Sequence, residues 1–104
     1  MAEFNNVSIA KAANILFDGN ITSRSIAFED GTRKTLVIML PGEYELNTVH
    51  KEVMDIQRGV LEVMLPAQDW QRFEGPASFE IQANSKFKLR VHSLVDYCCS
   101  FIKN

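Results

Sequence analysis

Apolar residues along this chain recur at every second position far more often than at helical spacing. Leu61, Val63 and Leu65 follow that period, as do Phe79, Ile81 and Ala83, then Phe87, Leu89 and Val91, then Tyr97, Cys99 and Phe101. Successive side chains of a strand leave by opposite faces, so this period predicts strands with one face buried. Leu36-Val37-Ile38-Met39-Leu40 is apolar on both parities. It predicts a central strand covered on both sides, one of them by a partner subunit. Val7 to Leu16 fits a helix, although Val7, Ile9 and Ile15 fit an early strand equally well. Turn signals divide the runs at close spacing: Asp18-Gly19, Asp30-Gly31, Pro41-Gly42, Arg58-Gly59, Pro66-Ala67, Gly75-Pro76 and Ala83-Asn84-Ser85. Many short strands separated in this way predict an all-β sandwich or barrel, and a jelly roll is the common closure at this size.

With 104 residues the chain is read as one domain spanning residues 1–104, with 1–13 an N-terminal extension or edge strand. Hydrophobic residues at 46% and charged residues at 23% place it far from disordered sequences. The net charge is −2 and the 11 Lys and Arg are scattered, so no basic stripe could follow a run of phosphates. Nucleic acid is therefore not the expected partner, although a single arginine could still hold one phosphate. No apolar run approaches the roughly 20 residues that span a bilayer, and no secretory leader pattern is visible, so no membrane partner is expected. Cys98 and Cys99 are adjacent, and neighbours rarely bridge each other, which predicts reduced thiols and a cytoplasmic protein.

A frame of glycines gives the chain its first recognisable feature. Gly42 is followed by Thr48, His50, Glu52 and Gly59; Gly75 is followed by Ile81, Asn84 and Phe87. The frame resembles the two inter-strand motifs of cupins, whose metal-binding histidines are absent here apart from His50. More specific wording lies between the glycines: Phe17-Asp18-Gly19, Thr22-Ser23-Arg24, Gly31-Thr32-Arg33-Lys34-Thr35, Met39-Leu40-Pro41-Gly42-Glu43-Tyr44, Glu52-Val53-Met54, Asp69-Trp70, Phe79-Glu80-Ile81 and Asp96-Tyr97-Cys98-Cys99. From about Asn14 to Phe101 the chain is similar to the pyrimidine/purine nucleoside phosphorylase family, which are short bacterial cupins. Gln82, where a proline is common, departs from the pattern at a turn. The resemblance implies an all-β, cupin-type jelly-roll barrel in a single domain. It also implies phosphorolysis of purine and pyrimidine nucleosides to free base and ribose 1-phosphate, with no cofactor, in a homodimer.

The residues can be weighed for that chemistry. A transition-metal site needs about three converging ligands, and the cupin ligand positions hold Thr48, His50, Glu52 and Phe87, so no metal is expected. Phosphorolysis requires that phosphate be held, that positive charge developing on the ribose be tolerated, and that the base leave with a proton or hydrogen bond. Arginine suits the first task because its planar fork pairs with phosphate oxygens and stays charged. Arg33 is the first candidate, with Thr35 on the same face of the strand; Arg24 and Arg90 are weaker ones. Glu52 shares parity with Met54 and Ile56, and apolar surroundings would raise its pKa and suit it to carrying a proton or facing the ribose. Arg33 and Glu52 are thus the expected catalytic residues. Thr35, Met39, Glu45, Thr48, Met54, Phe87 and Tyr97 are the expected substrate contacts, because aromatic and thioether walls grip flat rings with little discrimination. Cys99 reads as a small buried filler. A non-catalytic nucleoside- or sugar-binding cupin is the alternative reading, and a metal-dependent cupin enzyme using His50 and Glu52 is the third.

Overall fold

The computed structural model describes residues 2–102. Its strands, in chain order, are β1 (Ser8–Ile9), β2 (Asn14–Leu16), β3 (Ile21–Ala27), β4 (Arg33–Met39), β5 (Gly42–Asn47), β6 (Lys51–Arg58), β7 (Val60–Met64), β8 (Gln71–Glu74), β9 (Ala77–Ile81), β10 (Lys86–Val91) and β11 (Val95–Ile102). The larger sheet runs β1-β3-β4-β11-β6-β9, with β2 also pairing to β3; the smaller runs β5-β10-β7-β8. Every pairing is antiparallel. The all-β, cupin-like jelly roll expected from the sequence is present, with one refinement. Its two sheets pack face to face and remain separate, so the structure is a sandwich and not a closed barrel.

The period-two pattern explains what lies between the sheets. Leu61 and Val63 of β7, Leu89 of β10 and Met54 and Ile56 of β6 are at most 1% exposed, and they meet Tyr44, Ile81, Phe87, Val91, Val95 and Tyr97 in one core. Stacked rings of Phe73 on β8 and Phe79 on β9, with centroids 4.5 Å apart, join the two sheets along one edge. Along the other, Phe17 packs edge-on against Tyr44 at 5.1 Å, and the Tyr44 hydroxyl donates to Leu40 O at 2.7 Å.

Gly59 shows why part of the glycine frame is required. Its φ is +104°, and an added Cβ would lie 2.3 Å from the Leu94 carbonyl oxygen. Any side chain there would both strain the backbone and displace the β10–β11 turn.

Two expectations change. The segment 7–16 contains no helix: β1 and β2 are short strands, and a single 3-10 turn follows at Phe17–Gly19. The strand containing Leu36 to Met39 is central in its sheet, between β3 and β11, but only its inner face is closed. Val37 and Met39 are buried, whereas Leu36 is 41% exposed, so the outer face of this strand is open at that residue, although Ile26 and Cys98 on the same side of the sheet are buried.

Candidate functional site

The register of the larger sheet arranges its inward side chains in rungs that cross the strands. One rung runs Ile21, Met39, Val95 and is wholly apolar. The next is Ser23, Val37, Tyr97, Ile56, and the third is Ser25, Thr35, Cys99, Met54. At the far end Ala27 pairs with Arg33, while Phe101 pairs with Glu52 and Glu52 with Ile81. Polarity thus rises along the strands toward one end of the sandwich. There Arg33 and Glu52 share a face and a level, two strand spacings apart, or roughly 10 Å between backbones.

Glu52 lies half-buried in this open end. Its Oε1 accepts a hydrogen bond from the Cys99 thiol at 3.3 Å. Loss of water raises its pKa above the ordinary value of 4.5, and the Cys99 donor and the positive character of nearby His50 only partly oppose the rise. Cys99 is buried in turn, and burial, the facing Glu52 charge and its role as donor push the thiol strongly upward; the Thr35 hydroxyl offsets this slightly. Cys99 is therefore a protonated donor to the carboxylate and not a nucleophile. Burial also raises the Tyr97 phenol, with Cys99 and Glu52 adding to the effect.

Most of the residues singled out in the sequence lie on this inner surface. Arg33 is exposed at the rim, with no hydrogen bond or ion pair among the described residues. Thr35 and Met54 flank Cys99 on the same rung, and Tyr97 is one rung deeper. Across the interior, Phe87 is 3% exposed and pairs with Leu46 at the end of the smaller sheet. Phe87 also borders an open groove of about 420 Å³ walled by Leu65, Pro66, Asp69 and Lys88. Among the described residues, no three His, Cys, Asp or Glu side chains converge on one point.

Three placements correct the sequence-based grouping. Glu45 leaves β5 by the outer face and pairs with Lys86 at 3.3 Å, because Tyr44 and Leu46 take the inward parity. Thr48 is buried, but its hydroxyl donates to Gln82 O at 2.6 Å and accepts from Ser85 N at 2.9 Å, tying two turns together. Met39 is fully buried in the apolar rung, away from Glu52. The weaker arginines are engaged elsewhere. Arg24 donates to Lys11 O, and Arg90 lies 3.9 Å over the Trp70 ring beside Glu43 on the outer face.

Sequence reasoning missed Asn14, Ser23 and Ser25. β2 lays Asn14 against β3, where its amide donates to Ser23 Oγ at 3.1 Å and Ser25 Oγ at 3.2 Å. Their position on the inner parity next to Thr35 was the available signal, and it depended on recognising β2 as a strand.

Residues 11–101 match the family model described as pyrimidine/purine nucleoside phosphorylase. A Chlorobium chlorochromatii protein of that name is 56% identical over 102 residues, covering 98% of this chain and 99% of its own. Among solved structures, a protein of unknown function from Acinetobacter sp. ADP1 superposes with a TM-score of 0.91 at 32% identity, covering 96% of this chain and 98% of that one. The cupin domain of a Schizosaccharomyces pombe protein superposes at 0.63 with 15% identity, over 80% of this chain and 66% of that one, which is a likeness of fold alone. With a family model spanning nearly its whole length and a relative more than half identical to it, the chain belongs to the pyrimidine/purine nucleoside phosphorylase family.

Proposed function

We propose that the chain is a broad-specificity nucleoside phosphorylase, a pentosyltransferase that converts purine and pyrimidine nucleosides plus phosphate to free base and ribose 1-phosphate. The observation that carries the reading is a desolvated carboxylate, Glu52, held by a thiol donor on the same inner surface as the rim guanidinium of Arg33. A phosphate oxygen forms a bond to the anomeric carbon as the bond to the base nitrogen breaks, and the base departs with the electron pair and takes up a proton. Arg33 holds the phosphate. Glu52 faces the ribose, binds its hydroxyls and stabilises the positive charge that builds at the anomeric carbon; in a partly dry site that attraction is stronger than in water. The interior walls of Phe87, Met54 and Tyr97 offer rings and a thioether, surfaces that hold a flat base without reading its edges.

The test is release of base from a panel of purine and pyrimidine nucleosides, with and without phosphate. Release from several nucleosides, dependent on phosphate and matched by ribose 1-phosphate, is expected. Nucleoside binding in calorimetry with no turnover at high enzyme and phosphate would replace this reading with that of a binding protein.

The same reading takes residues 1–104 as one cytoplasmic domain that works as a homodimer. Support for the dimer comes from the outer face of the larger sheet, where exposed Leu36 adjoins Ile38 on an interior strand. Light scattering is expected to give about twice the 11.8 kDa of one chain; a mass of one chain would refute it.

A further inference from the structure

We propose that Ser23 and Ser25 form a row of hydroxyl donors that, with Arg33 and Thr35, makes the inorganic phosphate subsite, with Asn14 as a positioning residue acting through the serines. The inference rests on the phosphorylase reading for its role in turnover, but the anion site itself can be measured without it.

A carboxamide nitrogen carries two hydrogens, and Asn14 commits them to two different oxygens, Ser23 Oγ and Ser25 Oγ. Each serine oxygen thereby has an accepting lone pair filled, while its own proton stays available; among the described residues neither hydroxyl donates to a protein acceptor. The two protons are left for a ligand. Ser25 stands directly across from Thr35, and at the next inward pair, two residues along, Ala27 faces Arg33. The small Ala27 side chain leaves the guanidinium room to reach over the serines.

The charge environment selects the ligand. Strands β1 to β4 contain no carboxylate. In the turn that joins β3 to β4, Asp30 already accepts from the Thr32 amide, and Glu29 is exposed. On this face the nearest strand carboxylate, Glu52, lies beyond β11. A surface that offers several donors, one fixed positive charge and few acceptors suits a ligand that only accepts. Phosphate dianion meets that description, whereas ribose hydroxyls, which also donate, are better served beside Glu52. The phosphate therefore lies on the β2–β3 side of the Thr35–Cys99 floor, and the ribose on the β6 side.

The test pairs steady-state kinetics with direct binding of inorganic phosphate followed by ³¹P line broadening, on the full chain. Asn14→Asp replaces a donor with an acceptor and adds negative charge; it is expected to raise KM for phosphate by roughly 10²-fold and to abolish the broadening. Ser25→Ala is expected to raise the same KM by roughly tenfold with the nucleoside KM within twofold, and Ser25→Thr, which keeps the hydroxyl, to restore it. If the wild-type chain turns over nucleosides and both Asn14→Asp and Ser25→Ala leave the phosphate KM unchanged, the subsite is wrong and the phosphorylase reading stands. Equal rises in both Michaelis constants, or phosphate broadening that survives Asn14→Asp, would also overturn it. Broadening lost in Asn14→Asp while no nucleoside is turned over would uphold the anion site and remove the phosphorylase.

Discussion

The inner face of the larger sheet behaves differently at its two ends, although the same strands build both. At one end Ile21, Met39 and Val95 are almost entirely shielded from solvent and carry no polar atom that needs a partner. Four to six residues along, β4 and β11 present Arg33, Thr35 and Cys99, and neighbouring β6 adds Glu52; every one of these carries a polar or ionisable group. Met39 and Arg33 belong to one strand and one parity, separated by roughly 20 Å of extended chain. The difference shows what the jelly roll contributes: one end is filled and supplies stability, and that stability permits the other end to hold a carboxylate away from water. Burying a charge costs free energy wherever it occurs, and only a well-packed remainder can offset it.

Substitutions can sharpen or break this division. The largest effect is expected from Glu52→Gln, with kcat/KM falling roughly 10²–10³-fold. Folding should not suffer. Because the folded-state pKa of Glu52 is raised, its contribution to stability is fully present below its ordinary 4.5 and is lost as pH rises through the raised value. Glu52→Gln should therefore melt no lower than wild type at neutral pH, with the gap closing on acidification; a lower neutral melting temperature would contradict the assignment of cost to that end.

At the filled end, Met39→Ala should lose about 2–5 kcal/mol in denaturant unfolding while kcat/KM per folded molecule stays near wild type. A selective loss of activity there would erase the distinction between the ends.

Arg33→Ala comes next. KM for phosphate should rise roughly 10–100-fold, in line with lost hydrogen bonds to a charged group, and the nucleoside KM should change little. Equal effects on both substrates would remove Arg33 from the phosphate role.

Cys99→Ala takes away a donor that lowers the Glu52 pKa, so the acid limb of the kcat/KM profile should move to higher pH; Cys99→Ser, which keeps a donor, should hold it near wild type. A limb that does not move would separate Glu52 from the titration.

Smallest of all is Glu45→Ala, which breaks only an exposed pair with Lys86 and should change stability by less than about 1 kcal/mol with unaltered kinetics.

Much of the filled end was legible in the sequence because parity is a property of neighbours. Once Val37 and Met39 point inward, Thr35 and Arg33 must follow, and Met54 carries Glu52 with it. The same logic, applied to Tyr44 and Leu46, places Glu45 outside, and the charged pair Glu43 and Glu45 on the opposite parity was a visible sign of a solvated face. Thr48 could not be resolved in that way. Its partners, Gln82 and Ser85, lie more than thirty residues away, and only tertiary contact reveals that its hydroxyl is committed. Asn14, Ser23 and Ser25 escaped for a related reason. The inward positions Ser23, Ser25 and Ala27 of the seven-residue β3 are small and mostly polar and leave no apolar period to read, and the three-residue β2 is indistinguishable from a turn until its partner strand is known.

The two adjacent thiols leave β11 on opposite sides. Cys98 pairs across to Leu36 and Asp55 and lies buried on the outward side of the sheet, while Cys99 lies buried on the inward side beside Glu52. They share a peptide bond yet sit in different compartments, and linking them would require β11 to leave the sheet. Oxidative damage to this protein is thus divided into two unrelated injuries, both at buried thiols: one at Cys98 would disturb packing on the outer side of the sheet, and one at Cys99 would silence the donor that steadies a half-buried acid.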